Sequence, residues 1–159
     1  MLYIFIPKCL LFDKNMIARV EIEGLDRSGK DTLVGYIDYM SGRMIPVSSR
    51  GLMSTIAYAD VYNRFMSTES INKLLDANKE TLVVYLTADR KDLELRHKIS
   101  HHEPIDFDTH EKAFEYAKEL ILGKDILFYE FNTTEQTPYQ IAEMVCTIIE
   151  EENKKWFYS

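Results

Sequence analysis

The chain has 159 residues, of which 46% are hydrophobic and 28% charged. That is the length and composition of one folded domain, able to bury roughly two-thirds of its unfolded surface, and it excludes disordered and fibrous classes. Its 26 acidic and 19 basic residues give a net charge of −7, which argues against a general nucleic-acid coat and still allows a local anion site.

Two cysteines, Cys9 and Cys146, stand far apart in no metal-like spacing. No disulfide framework follows, and a cytoplasmic setting is expected. The longest apolar stretch, Leu2–Phe12, is broken by Pro7 and Lys8 and is too short to span a bilayer. It lacks a basic leader and a small-residue cleavage site, so no signal peptide is expected. Residues 1–15 read equally as an upstream extension before Met16 or as an added edge strand over Leu2–Ile6. Residues 16–159 read as a single domain.

Ile17–Glu23 is the first expected strand, ending at Gly24. Helical spacing follows over Asp31–Met40, with Gly42 as its stop. Ile45–Ser48 is a short strand. Leu52–Met66 is a helix with Ile56, Tyr58, Val61, Tyr62 and Phe65 as its apolar set, and Thr68–Asn78 a shorter one. Thr81–Thr87 is nearly all apolar, which suits a strand buried on both faces. Asp89–Ile99 is a charged helix, and Ser100–Ile105 a loop. Asp108 begins another helix with Glu111 three residues on, close to a capping box. Asp125–Phe131 is the last strand. Thr137-Pro138-x-Gln140 combines a cap, a first-turn proline and a reciprocal glutamine, and starts the final helix. Tyr36, Tyr39, Tyr62 and Tyr116 are expected at core edges. This alternation predicts an α/β domain with a mostly parallel sheet of about four core strands.

Gly24-Leu25-Asp26-Arg27-Ser28-Gly29-Lys30 has the pattern G-x-x-x-x-G-K between a strand and a helix. Glycines let backbone N–H groups close around phosphate oxygens, the helix N-terminus adds positive potential, and Lys30 reaches the outer phosphates. The next position, where a hydroxyl residue ordinarily ligates Mg²⁺, is Asp31, followed by Thr32. Either can offer oxygen to the metal. Asn63-Arg64 can be read as a phosphate contact or as the polar end of a helix. His97 and His101, four apart, lack a cysteine or H-E-x-x-H partner and read as solvated loop.

Val20–Leu33 resembles the opening of the thymidylate kinase family, (F/I)EG-x-D-x-x-GK-(S/T)-T, matched at Gly24, Asp26, Gly29, Lys30 and Thr32. Arg27 is similar to the arginine of the subgroup that carries a catalytic arginine inside this loop. Ser49–Ala59 resembles the family's D-R-(Y/H)-x-x-S-x-x-A-Y-Q, with Arg50, Ser54, Ala57 and Tyr58 in register and Ser49 in place of the aspartate. The resemblance implies a three-layer P-loop fold and transfer of the γ-phosphoryl of ATP to a deoxynucleoside monophosphate, dTMP first. It implies that Arg27 stabilises the phosphoryl group in flight, that Arg50 grips the acceptor phosphate, and that Tyr58 lies near the acceptor base. Arg96 falls where the family's mobile lid begins, and Asn132–Thr134 where it passes the adenine. A strand and helix of the family are missing before Ile45, a shortening similar to phage-encoded deoxynucleoside monophosphate kinases, whose setting would be a host cytoplasm.

The expected site is therefore Gly24–Thr32 for ATP, Asp31 and Thr32 for Mg²⁺, and Arg50, Ser54, Tyr58, Arg64 and Arg96 for the acceptor. Arg27, Lys30 and Arg50 are the expected catalytic groups. The expected partner is a nucleotide, with no membrane, nucleic acid disfavoured, and a homodimer possible. Two alternatives stay open: another acceptor, such as a nucleoside or a modified base in DNA, and a degenerate nucleotide-binding protein without transfer.

Overall fold

The fold was analysed from a computed structural model, which describes residues 16–100 and 103–158, the side chains of 156–158 apart. The edge strand expected over Leu2–Ile6, His101 and His102, and the packing of Trp156–Tyr158 lie outside the described residues.

Among the described residues four strands form one sheet: β1 (Arg19–Gly24), β2 (Val47–Ser49), β3 (Thr81–Thr87) and β4 (Leu127–Asn132). Their order is β2-β1-β3-β4 and every pairing is parallel. The described residues also hold six helices: α1 (Lys30–Met40), α2 (Leu52–Val61), α3 (Thr68–Asp76), α4 (Arg90–Ile99), α5 (Phe107–Leu122) and α6 (Pro138–Tyr158). Leu33 and Ile37 of α1 and Ile141 and Val145 of α6 pack with Val20, Ile22 and Val84 on one face of the sheet. Met53 and Ile56 of α2 and Phe114 and Ala117 of α5 pack with Val83 and Tyr85 on the other. The continuous apolar run of β3 is thus spent on two cores, as its sequence predicts.

The chain leaves β1 toward β2 on one side and later returns to β3 on the other. In open parallel sheets the crevice at the carboxyl ends of such strands is where ligands bind. The β1–α1 loop lies there, and so does Arg50, directly after β2.

The two glutamates of β1 make an unusual joint with α2. Val20 and Ile22 point to the α1–α6 layer, so alternation sends Glu21 and Glu23 into the other layer, where both are buried. They satisfy the free N–H groups of the first turn of α2. Glu21 Oε2 accepts a hydrogen bond from Leu52 N–H at 2.8 Å. Glu23 Oε1 accepts from Ser54 N–H at 3.2 Å, and Glu23 Oε2 accepts from the Ser54 hydroxyl. Gly51 makes room for this approach, because a Cβ there would lie 2.2 Å from Glu21 Cδ.

Several boundaries differ from the sequence reading. The first strand begins at Arg19, because Ile17 N–H donates to Asn153 Oδ1 instead of a neighbouring strand. The last strand begins two residues late, at Leu127. Helix α2 stops at Val61, where the backbone reverses through Asn63 at φ 51°. Phe65 therefore leaves the expected apolar face and is 92% exposed. Asp106, not Asp108, caps α5, accepting from Thr109 N–H at 3.1 Å. Asp108 and Glu111 instead hold Arg90 at 2.6 and 2.8 Å. The reciprocal cap of α6 is as expected, with Thr137 N–H donating to Gln140 Oε1 and Gln140 N–H to Thr137 Oγ1. Tyr36, Tyr39, Tyr62 and Tyr116 are exposed, not core edges, since Leu33, Ile37, Ala113 and Ala117 already fill the inner faces of α1 and α5. No helix among the described residues is long and apolar enough to cross a membrane.

Replacing Gly51 by alanine should push Glu21 away from Leu52 N–H and lower stability by about 1–3 kcal/mol. Urea unfolding of Gly51→Ala measures this, and an unchanged midpoint would contradict the close approach.

Candidate active site

The β1–α1 loop is held in a tight curl by its own chemistry. Gly24 has φ 142°, and a Cβ on it would meet Leu86 O at 2.5 Å, so the loop passes against β3 only as glycine. Gly29 has φ 96° and forms the N-cap of α1 without a side chain. Arg27 between them also adopts positive φ, 64°, a conformation rare for a branched-out side chain and concentrated at functional sites. Leu25 anchors the loop, its side chain in the core and its carbonyl accepting from Ser28 N–H at 3.2 Å.

Lys30 is only 7% exposed and curls back over this loop, donating to Gly24 O at 2.9 Å and Leu25 O at 2.6 Å. Burial pushes its ammonium down to about 8 from an ordinary 10.5, while Asp26 pulls the other way. Two further polar atoms of the loop are buried with no hydrogen-bond partner among the described residues: Ser28 Oγ and Arg27 Nε. Arg27 Nε lies 3.7 Å from the Asp26 carboxylate, an ion pair without a hydrogen bond. A curl of glycines, a buried ammonium and two unsatisfied polar atoms at a helix N-terminus have the chemistry to receive a large anion.

The anion's space is a cavity of about 290 Å³ against the loop. Arg27, Lys30, Arg50 and Arg96 line it from two helices and two connecting segments, with Asp26, Asp31 and Thr32 at its edge. Asp31 and Thr32 are exposed in the first turn of α1, so both expected metal ligands have their oxygens free to face it. Arg96 sits on α4, the charged helix expected over Asp89–Ile99. It donates to Arg27 O at 3.3 Å, Thr133 Oγ1 at 3.1 Å and Thr133 O at 3.3 Å, tying the strained residue of the loop to the segment after β4.

A second cavity of about 560 Å³ runs along α2. Ser54, Thr55 and Tyr58 form its floor, Arg50 its near end, and Arg64 with Met66 its far end. Arg50 belongs to both cavities. Its backbone is at φ 71°, its N–H donates to Ile22 O at 2.9 Å, and its guanidinium lies 5.5 Å from the Tyr58 ring centroid. Tyr58 in turn stacks on Tyr62 and meets Phe114 edge-on. Ser54 differs from the rest of the expected acceptor set, since its hydroxyl is already given to Glu23.

No family model matches the sequence, and no curated protein matches it. Among solved structures, the chain is similar to the YorR protein of Bacillus subtilis, determined in complex with phosphorylated GDP. The TM-score is 0.67 at 16% identity, over 86% of this chain and 98% of that one. It is also similar to thymidylate kinase from Candida albicans, with a TM-score of 0.47 at 18% identity, over 86% and 92%. The chain shares the α/β fold of the YorR protein, with helices on both faces of an all-parallel sheet.

On this fold, three functional features escaped the sequence reading: the Glu21 and Glu23 anchors, the bond from Arg96 to the loop carbonyl, and Thr133 as its other partner. Glu23 left one signal, a carboxylate on a strand whose neighbours on both sides are buried. Burial pushes its carboxyl up, and its bonds from Ser54 pull it down.

Lys30 gives the ligand-free protein a distinct pH response. Between about 8 and 10.5 the unfolded chain holds a proton that the folded chain has lost, so this group makes stability rise with pH across that window. Lys30→Met should remove that rise while leaving the other titrations in place. Urea unfolding of both proteins at pH 7.5 and 10 would show it, and parallel pH profiles would contradict a depressed Lys30.

Proposed function

We propose that this protein transfers the γ-phosphoryl group of ATP to a nucleoside monophosphate. The observation that carries the reading is Arg50, which stands between a phosphate-loop cavity and a second cavity long enough for a nucleotide. The bond from the γ-phosphorus to its bridging oxygen breaks, and its electron pair leaves with ADP. An oxygen of the acceptor phosphate forms the new bond. The resemblance of the sequence names dTMP as that acceptor.

Little covalent work falls to the protein in such a transfer, so positioning and charge dominate. Lys30 exchanges its bonds to Gly24 and Leu25 carbonyls for phosphate oxygens, and the ligand's charge restores its own. Ser28 Oγ and Arg27 Nε, unpartnered in the free loop, gain acceptors. Arg27 stabilises charge on the moving phosphoryl group, held there by its strained backbone and by Arg96 on its carbonyl. Arg50 neutralises the acceptor phosphate and so brings two anions within reacting distance. Asp31 and Thr32 supply hard oxygen ligands suited to Mg²⁺, which shares phosphate charge when bound.

ATP and Mg²⁺ with each nucleoside monophosphate in turn should yield ADP and a nucleoside diphosphate. ATP turnover with none of them would end the reading. Lys30→Ala should abolish transfer. Arg27→Ala should lower kcat by about a thousandfold, with a much smaller change in KM for ATP. Equal losses in both constants would remove its role in the transition state.

A further inference from the structure

Past Arg64 the cleft along α2 opens into another cavity, of about 310 Å³. The two share Ala59, Arg64 and Met66, so a single ligand can occupy both. Its walls are apolar, from Ile56, Met66 and Ile71, and two exposed aromatic rings, Phe65 and Tyr116, stand at its rim. Exposed aromatic rings beside a concave apolar wall suit a flat aromatic ligand.

Three polar side chains face this space from the end of α2 and the turn after it: Asp60, Asn63 and Arg64. None of the three side chains makes a hydrogen bond within the described residues, and neither Asp60 nor Arg64 forms an ion pair there; Arg64 only lies over the Tyr62 ring, at 5.6 Å. A carboxylate and a guanidinium four residues apart along a continuous helix ordinarily pair with each other, but α2 ends at Val61, between Asp60 and Arg64. Here they stay apart, and both remain available.

Position along the helix sets what they meet. From Leu52, beside Arg50, to Asp60 is eight residues, about 12 Å at the helical rise. A nucleotide laid along α2 with its phosphate on Arg50 brings its base to Asp60 and Arg64. The chemistry of the pair then selects the base. A guanidinium fork donates two parallel hydrogen bonds and wants two adjacent acceptors, which guanine presents at O6 and N7. A carboxylate only accepts, and wants adjacent donors, which guanine presents at its ring N–H and exocyclic amino group. Thymine has a single N–H between two carbonyls. Adenine and cytosine have no ring N–H beside their amino groups.

We infer that this cavity is a guanine subsite and that the acceptor is guanosine or deoxyguanosine monophosphate. The inference rests on the reading of the cleft as the acceptor site, and it replaces the dTMP that the sequence resemblance names.

The test uses two measurements on the wild type and on Asp60→Asn: calorimetric binding of GMP, TMP and xanthosine monophosphate, and ADP formation with ATP, Mg²⁺ and the same acceptors. The wild type should bind and phosphorylate GMP best. Asp60→Asn should weaken GMP by about tenfold or more, the worth of one good two-point base contact. It should also strengthen xanthosine monophosphate, whose second carbonyl accepts from the new amide. That exchange of preference is not produced by loss of structure, and Asp60 is exposed, so the variant should melt with the wild type. Transfer to TMP in preference to GMP, or a GMP response untouched by Asp60→Asn, would overturn the inference and leave phosphoryl transfer standing. GMP binding that depends on Asp60, without transfer to any acceptor, would support the subsite and overturn the kinase reading instead.

Discussion

Glu21 and Glu23 lie beneath the first turn of α2, and three hydrogen bonds from that turn join β1 to α2. A buried carboxylate is tolerated only when its oxygens are satisfied, and a helix N-terminus supplies both donors and positive potential for it. The same contacts satisfy the helix, since Gly51 as N-cap has no side chain to do so. The carboxylates are part of β1, and β1 runs straight into the phosphate loop. One strand therefore fixes the loop at its end and α2 along its flank. The left-handed Arg50 is the short link between them, bonded to Ile22 of the same strand.

The donor side is built on unmet demand. In the free loop Lys30 is buried against two carbonyls, Ser28 Oγ and Arg27 Nε lack partners, and Arg27 holds positive φ without being glycine. Each of these is unfavourable alone. A polyanion in the cavity would give Lys30 a counter-charge and Ser28 Oγ and Arg27 Nε acceptors, so affinity would come from the loop's own conformation as much as from new contacts. Arg96 contributes by fixing the loop's carbonyl to Thr133, which links the phosphate end of the cavity to the segment after β4.

Much of this was legible in the residues. The strand–loop–helix around Gly24–Lys30 announced both the parallel sheet and the curled loop with a buried lysine, because that spacing of glycines and lysine needs a strand before it and a helix after it. β3 and the cap at Thr137 and Gln140 were equally plain, since burial on two faces and reciprocal capping leave direct marks on composition. What stayed hidden depends on contacts between distant segments. Alternation along β1 reads as apolar-in and acidic-out, and only the position of α2 shows that both faces are buried. Nothing near Phe65 announces that the helix ends at Val61, because Asn63 reverses the chain without a glycine or proline. The same reversal turns Arg64 from the polar end of a helix into the shared wall of two cavities.

The central claim is that β1 sets Arg50 between a donor and an acceptor phosphate. A crystal structure with a bisubstrate ligand, adenosine joined to a second nucleoside through a chain of five phosphates, tests it most directly. The account predicts adenosine beside Thr133, the phosphate chain curled in the Gly24–Lys30 loop, the Arg50 guanidinium on phosphates of both ends, and the second nucleoside along α2. A ligand bound with Arg50 turned to solvent and the α2 cleft empty would contradict it.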